Sequence, residues 1–207
     1  MKQVLLRLKR LLALDSPTIS TKQLELKTKA LIKERLSDVD RWKNDKELLP
    51  NWNERSALLA SYITANTHVI EFGAGSMYLK TILHDVKSYT PSDIVKRDEN
   101  TIVCDLNKPI DFDLTAYDVA VFSGVLEYVY DIESVVKTLR DANINQIILS
   151  YCCSDIVTLT RVKNGWLSDY NRLELEAIFF NNGYEIKNYM EWQQQSLFNL
   201  IKKNKHS

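Results

Sequence analysis

An apolar run ending in Val69-Ile-Glu-Phe72 passes directly into Gly73-Ala-Gly75, and Tyr78-Leu-Lys-Thr-Ile-Leu83 then has the composition to open a helix. A strand that ends in a glycine turn and feeds a helix is the nucleotide-binding corner of a doubly wound sheet. Glycine is needed there because the backbone turns tightly and meets a ligand with no Cβ in the way. The chain holds 5 glycines in 207 residues, so two of them in three positions are informative.

The flanking sequence agrees with that corner. Residues 1–65 read as helical, with little strand pattern. Pro17 breaks a first helix, Ser20–Leu36 forms a second, and Asn51–Ile63 forms a third that runs into the first strand. From residue 67 strands and helices alternate. Strands are expected at Thr67–Phe72, Val86–Thr90, Thr101–Cys104, Tyr117–Phe122, Gln146–Tyr151, Tyr184–Met190 and Ser196–Lys202. Helices are expected over Ser76–His84, over Asp131–Asp141 behind an acidic N-cap, and over Leu173–Asn182 up to a terminating Gly183. The last two strands are joined only by Glu191–Gln195, and so short a link demands an antiparallel pair. The expected architecture is α/β: a doubly wound, mostly parallel seven-stranded sheet with an antiparallel last strand. A helical extension (1–64) precedes a ligand-binding domain (65–207).

Composition excludes several classes. Basic and acidic residues balance at 27 each, which gives no push toward nucleic acid. The three cysteines, Cys104, Cys152 and Cys153, suit buried thiols in a reducing compartment better than a disulfide framework. The chain has no CxxC, no HExxH and no other metal-ligand spacing, and His68, His84 and His206 are scattered, so no metal is expected. No apolar run approaches the roughly 18 residues of a membrane span. Met1–Leu14 is basic and amphipathic, broken by Arg7, Lys9 and Arg10. It reads as a helix packed on the domain or on a second copy in a homodimer, in preference to a membrane-surface helix. A cytoplasmic location is expected.

The ligand is narrowed by what surrounds the turn. A dinucleotide site wants G-x-G-x-x-G, but the third position here is Tyr78, and no Walker lysine is present. Asp93 follows Gly73 by 20 residues, where a carboxylate can accept from both ribose hydroxyls. Asp105 follows the third strand and is able to accept from an adenine amine. Ser123-Gly124 follows the fourth, at the carboxyl edge where open α/β sheets bind ligands. Each aspartate, taken singly, is equally well explained as a turn cap.

In Glu71-Phe-Gly-Ala-Gly75, Ser92-Asp93-Ile94, Cys104-Asp105-Leu106 and Tyr117-Asp-Val-Ala-Val-Phe-Ser-Gly-Val-Leu-Glu-Tyr128, over residues 65–207, the chain resembles the class I S-adenosylmethionine-dependent methyltransferases. The resemblance implies S-adenosyl-L-methionine as cofactor. Glu71, Gly73 and Gly75 would hold its methionine end, Asp93 its ribose, and Ile94, Asp105 and Leu106 its adenine. Ser123 and Gly124 would border the sulfonium and the acceptor. Met77 departs from the family, which commonly has a third glycine there, and implies a slightly different turn. Arg55 has two readings, a partner for the cofactor carboxylate or a surface ion pair.

The chemistry carried by such a cofactor leaves the protein to align the acceptor and to exclude water. Glu127 and Tyr128 are the candidate catalytic residues. Tyr130, Tyr151 and Ser154 are further candidates for a base. Ser123-Gly-Val-Leu126 lacks the Asn/Asp-Pro-Pro-aromatic motif of amine-modifying DNA and glutamine methyltransferases. A small-molecule or sugar-containing acceptor, methylated on oxygen, is therefore the leading expectation. Trp166, in the Arg161–Trp166 insertion, either stacks on an acceptor ring or closes the core. Two competing classes are an inactive scaffold on the same fold and a nicotinamide-binding oxidoreductase.

Overall fold

A computed structural model describes residues 19–203. The basic stretch 1–14, its break before Thr18 and His206 lie outside the described residues. The sheet has seven strands: β1 (His68–Phe72), β2 (Ser88–Asp93), β3 (Ile102–Val103), β4 (Val119–Phe122), β5 (Gln146–Tyr151), β6 (Tyr184–Trp192) and β7 (Gln195–Lys202). Their order is β3-β2-β1-β4-β5-β7-β6. β1 through β5 run parallel, and β7 pairs antiparallel with both β5 and β6. The order reverses between β1 and β4, which opens a crevice at the carboxyl ends of those strands.

Strand periodicity sorts the core into two layers. Ile70, Phe72, Ala120, Phe122, Ile147 and Leu149 point to one face, packed with Val135, Val136 and Leu139 of α5 (Ile132–Asp141) and Leu175 and Phe179 of α6 (Arg172–Asn181). The intervening Val69, Val119, Val121 and Ile148 point to the other face, against Leu59 of α3 (Asn53–Ala60) and Leu79 of α4 (Tyr78–Ile82). In α5 the buried residues fall at Ile132, Val135, Val136 and Leu139, the spacing of one helical face. Each contributes about 1.5–3 kcal/mol when fully buried. Asp131 caps α5 by accepting from Ser134 N. The buried Gln146 meets its needs in full, bonding Thr64, Tyr62 O and Asn199.

Four local expectations need correction. β2 continues through Pro91 to Asp93, past its expected end at Thr90. The strand tolerates this proline because β3 pairs only with Ser92 and Asp93, which leaves no β3 partner opposite Pro91. The helix expected over Asn51–Ile63 is a 3-10 turn, Pro50–Trp52, followed by α3. α4 is shorter than the expected Ser76–His84 and begins at Tyr78. The β6–β7 link is a two-residue turn, with Gln193 and Gln194 at φ 45° and 64°, the left-handed pair of a type I′ hairpin.

The N-terminal region adds α1 (Thr21–Glu34), capped by a reciprocal Ser20–Gln23 box, and α2 (Val39–Trp42). The Tyr130 hydroxyl bonds Leu31 O at 2.8 Å and Leu36 O at 3.0 Å, which ties the end of α1 to the sheet domain. Arg41 Nη1 bonds Asn164 O at 3.0 Å. Between these ties, residues 37–53 cross the carboxyl edge of the sheet and form a roof over it.

Candidate active site

The crevice lies between that roof and the loops after β1, β2, β3 and β4. The β1 turn forms its floor. Gly73 has φ +68°, and a Cβ there would collide with the Val125 side chain. Gly75 has φ +52°, and a Cβ there would press on Leu48 of the roof at 3.3 Å. Met77 adopts φ 55°, ψ 31°, the left-handed conformation that a glycine would hold at no steric cost. The methionine therefore carries the strain of a left-handed backbone at this position.

The acidic residues stand in strand order along the edge. Asp105 follows β3, Asp93 ends β2 and Glu71 lies on β1. Asp93 is 4% exposed; Oδ2 accepts from Gly75 N at 2.8 Å, and Oδ1 accepts from Val95 N at 2.9 Å and Arg97 Nη2 at 3.3 Å. Asp105 Oδ1 accepts from Ser37 Oγ of the roof at 2.6 Å and from Asn107 N at 3.1 Å. Asn107 locks this corner: its Nδ2 donates to Ser37 Oγ and Tyr128 O, and its Oδ1 accepts from Tyr130 N. Glu71 is buried, and Tyr89 Oη donates to its Oε2. Burial pushes the Glu71 carboxyl up to about 8, against the lowering pull of the Tyr89 hydrogen bond.

At the β4 end, Gly124 (φ +69°) donates to Ser150 Oγ at 2.9 Å, and a Cβ there would sit 2.5 Å from the Arg55 guanidinium. Arg55 is 6% exposed, so it makes no surface ion pair. Its Nε and Nη2 bond Ser123 at 3.1 and 3.0 Å, and its Nη1 bonds Gln195 at 3.1 Å. Burial lowers its pKa, opposed by Glu127 and other acidic neighbours. All ten residues expected at the cofactor, namely Arg55, Glu71, Gly73, Gly75, Asp93, Ile94, Asp105, Leu106, Ser123 and Gly124, line this one crevice.

The candidate catalytic pair divides. Tyr128 lines the crevice beside Trp42, with ring centroids 4.9 Å apart; burial raises its pKa, opposed by the nearby Arg41 guanidinium. Glu127 is 2% exposed, accepts from Cys152 N at 2.9 Å through Oε1, and has no hydrogen-bond partner at Oε2 among the described residues. Tyr151 is fully buried, its hydroxyl held by Ser168 and Arg161, while Tyr130 serves as the tie to α1. Ser154 is exposed. Trp166 packs in a small cluster with Cys152 and Val157, under the Arg161 guanidinium at 4.4 Å, so it closes core. Sequence reasoning missed Ser37, for which the sequence held no signal, and Arg97 and Asn107, whose only signal was their nearness to Asp93 and Asp105. It also missed the roof side chains Trp42, Leu48, Leu49 and Trp52.

No family model and no curated protein matches this sequence. Solved structures do match its fold. A 1,6-didemethyltoxoflavin-N1-methyltransferase of Burkholderia thailandensis, solved with 1,6-didemethyltoxoflavin and S-adenosylhomocysteine, is similar at a TM-score of 0.58 and 14% identity, over 92% of this chain and 93% of that one. The sheet order and the antiparallel β7 agree with this match.

The chain has the class I methyltransferase fold.

Within that fold, a putative methyltransferase of Haloferax volcanii in complex with a methyltransferase activator matches at a TM-score of 0.62 and 12% identity, over 75% of this chain and 91% of that one. An O-methyltransferase from neocarzinostatin biosynthesis, solved with S-adenosylmethionine and a naphthoic acid, matches at 0.55 and 14%, over 79% of this chain and 60% of that one. Among the described residues no cluster of three or more histidine, cysteine or acidic side chains is placed to hold a metal. No described helix is long and apolar enough to cross a membrane.

Proposed function

We propose that this chain is an S-adenosylmethionine-dependent methyltransferase acting on a hydroxyl of a small molecule. The observation that carries this reading is the order of groups along the crevice: Asp105, Asp93, Glu71 with its glycine turn, then Ser123-Gly124. Neighbouring strands lie about 4.8 Å apart, so these four stations span roughly 14 Å, room for an elongated ligand. The residues fit such a ligand chemically. Asp105 offers acceptors to an exocyclic amine, Asp93 to a ribose diol, and Glu71 to an ammonium group. Gly73 is required by the turn itself, because a Cβ there would strike Val125. When bound, the cofactor supplies an electrophilic methyl group, which is the hard part of the chemistry.

The protein's own contribution is binding, orientation and exclusion of water. Trp42, Leu48, Leu49 and Trp52 in the roof desolvate the crevice. Tyr128, on the β4 side, is the catalytic candidate that contacts the acceptor. Glu127 braces the turn after β4 against Cys152 and thereby positions Tyr128. A hydroxyl acceptor is compatible with the fold, which is shared by the neocarzinostatin O-methyltransferase and the mitomycin 7-O-methyltransferase as well as by the 1,6-didemethyltoxoflavin-N1-methyltransferase. The balanced charge disfavours nucleic acid. Three buried free thiols suit a reducing cytoplasm.

A screen of phenols, hydroxy acids and glycosides, read by release of S-adenosylhomocysteine, tests this reading. Turnover of at least one hydroxyl compound, lost in Tyr128→Ala, is the expected result. Transfer confined to amines or to nucleic acid would replace it.

A further inference from the structure

Arg97 has no role in the reading above. Its side chain is 6% exposed, yet it lines the crevice. Nη2 bonds Asp93 Oδ1 at 3.3 Å, and Nη1 reaches Asp45 Oδ1 of the roof at 3.4 Å. Nε is buried with no hydrogen-bond partner among the described residues. A guanidinium presents five N–H donors in a fixed fork and has no acceptor. Leaving one of them dry and unpaired is costly, and buried donors in folded proteins are rarely left so. The guanidinium that carries this orphan is bonded to the carboxylate assigned to the ribose, and Arg97 lines the same crevice.

We infer that Arg97 is a second ribose-binding residue, and that its guanidinium donates to a ribose hydroxyl oxygen of the bound adenosyl ligand. A hydroxyl is both donor and acceptor. The same diol can donate to Asp93 and accept from Arg97, so the ion pair Asp93–Arg97 reads it as a unit. Charge assistance makes both bonds stronger than neutral ones. Through Nη1 the same guanidinium also touches Asp45, so filling the ribose position fixes a group that holds the roof. The inference rests on the adenosyl assignment of the crevice.

The test is calorimetric titration with S-adenosylhomocysteine and with its 2′-deoxy and 3′-deoxy analogues. Wild-type protein is expected to bind the parent and to lose roughly tenfold to a hundredfold in affinity for at least one deoxy analogue. In Arg97→Met that penalty should shrink to within a few fold, with the thermal transition still cooperative. In an Asp93→Asn background, adding Arg97→Met should weaken the parent further, because a direct contact survives loss of Asp93. Asp45→Asn, which releases only the roof contact, should keep the full deoxy penalty. An unchanged deoxy penalty in Arg97→Met would overturn the contact, as would a double variant no weaker than Asp93→Asn. Should Arg97→Met fail to fold, Arg97→Lys takes its place. A lysine keeps the charge near Asp93 but removes the fork, so the deoxy penalty must still fall. Failure of wild-type protein to bind the parent at all would instead remove the adenosyl reading itself.

Discussion

The Gly75 amide donates a 2.8 Å hydrogen bond to Asp93 Oδ2. One bond thus joins the glycine turn after β1 to the end of β2, two segments that look independent in the sequence. The turn cannot relax without freeing a buried carboxylate, and the carboxylate cannot move without freeing a backbone donor.

Asp93→Ala should therefore cost both stability and binding. It strands Gly75 N, Val95 N and Arg97, and an unsatisfied buried donor costs about 1–3 kcal/mol. Denaturant unfolding should register a loss of that size, with affinity for S-adenosylhomocysteine down by at least tenfold. Full retention of both would detach Asp93 from the site.

Met77→Gly should stabilise the protein and leave ligand binding intact. The residue already sits at φ 55°, where a non-glycine residue carries about 1–2 kcal/mol of steric cost. Glycine relieves that cost but gives back about 0.5–1 kcal/mol in backbone entropy. The net gain lies between zero and about 1.5 kcal/mol, or up to roughly 6 °C in melting temperature for a chain of this size. A fall in melting temperature would mean that the methionine side chain contributes more packing than its turn costs.

Gly73→Ala and Gly124→Ala should both fail at the site, for different reasons. The first drives a Cβ into Val125, and the second places one 2.5 Å from the Arg55 guanidinium. The strain is local to the crevice, so the circular dichroism spectrum should keep its shape while binding falls by at least tenfold. Gly183→Ala, at φ +75° beyond α6, is the control that lowers stability without touching affinity.

Glu71 should give the protein a specific pH dependence. Its folded pKa, about 8, lies above its unfolded value near 4.5, so between these limits the native state holds a proton that the unfolded state has lost. Stability from this group is complete below about pH 4.5, declines as pH rises and is gone above about pH 8. The slope is roughly 1.4 kcal/mol per pH unit in the window. Glu71→Gln should flatten that slope in denaturant melts at pH 5 to 8. If Glu71 faces an ammonium group, ligand binding near pH 7 should also release a proton. Titration in buffers of different ionisation enthalpy measures that release, and an uptake of protons would place the cation elsewhere.

Much of this architecture is legible in the sequence because the sheet is built from two simple signals. Val119–Phe122 and the Ile147–Leu149 run are apolar on both faces, as a sheet covered on both sides requires. Asp131 and Gly183 mark helix ends by their own backbone and capping chemistry. Nine of the ten expected cofactor residues gather in one crevice because they lie at or just beyond strand ends that the topology brings to the same edge, and Arg55 reaches it from α3. The roof was not legible. Residues 37–53 form one short helix and two 3-10 turns, held by long-range bonds such as Ser37 to Asp105 and Arg41 to Asn164. No local periodicity encodes such contacts. The Gln193-Gln194 turn was hidden for a related reason: the antiparallel pair forces a left-handed turn on residues with no preference for it.

The central claim is an adenosyl amino acid site, and calorimetric titration of the full chain with S-adenosylmethionine, S-adenosylhomocysteine and NAD tests it most directly. Binding of the first two in the micromolar range, absent for NAD and abolished by Asp93→Ala, is the predicted result. Binding of NAD alone, or of none of the three by a cooperatively folded protein, would contradict it.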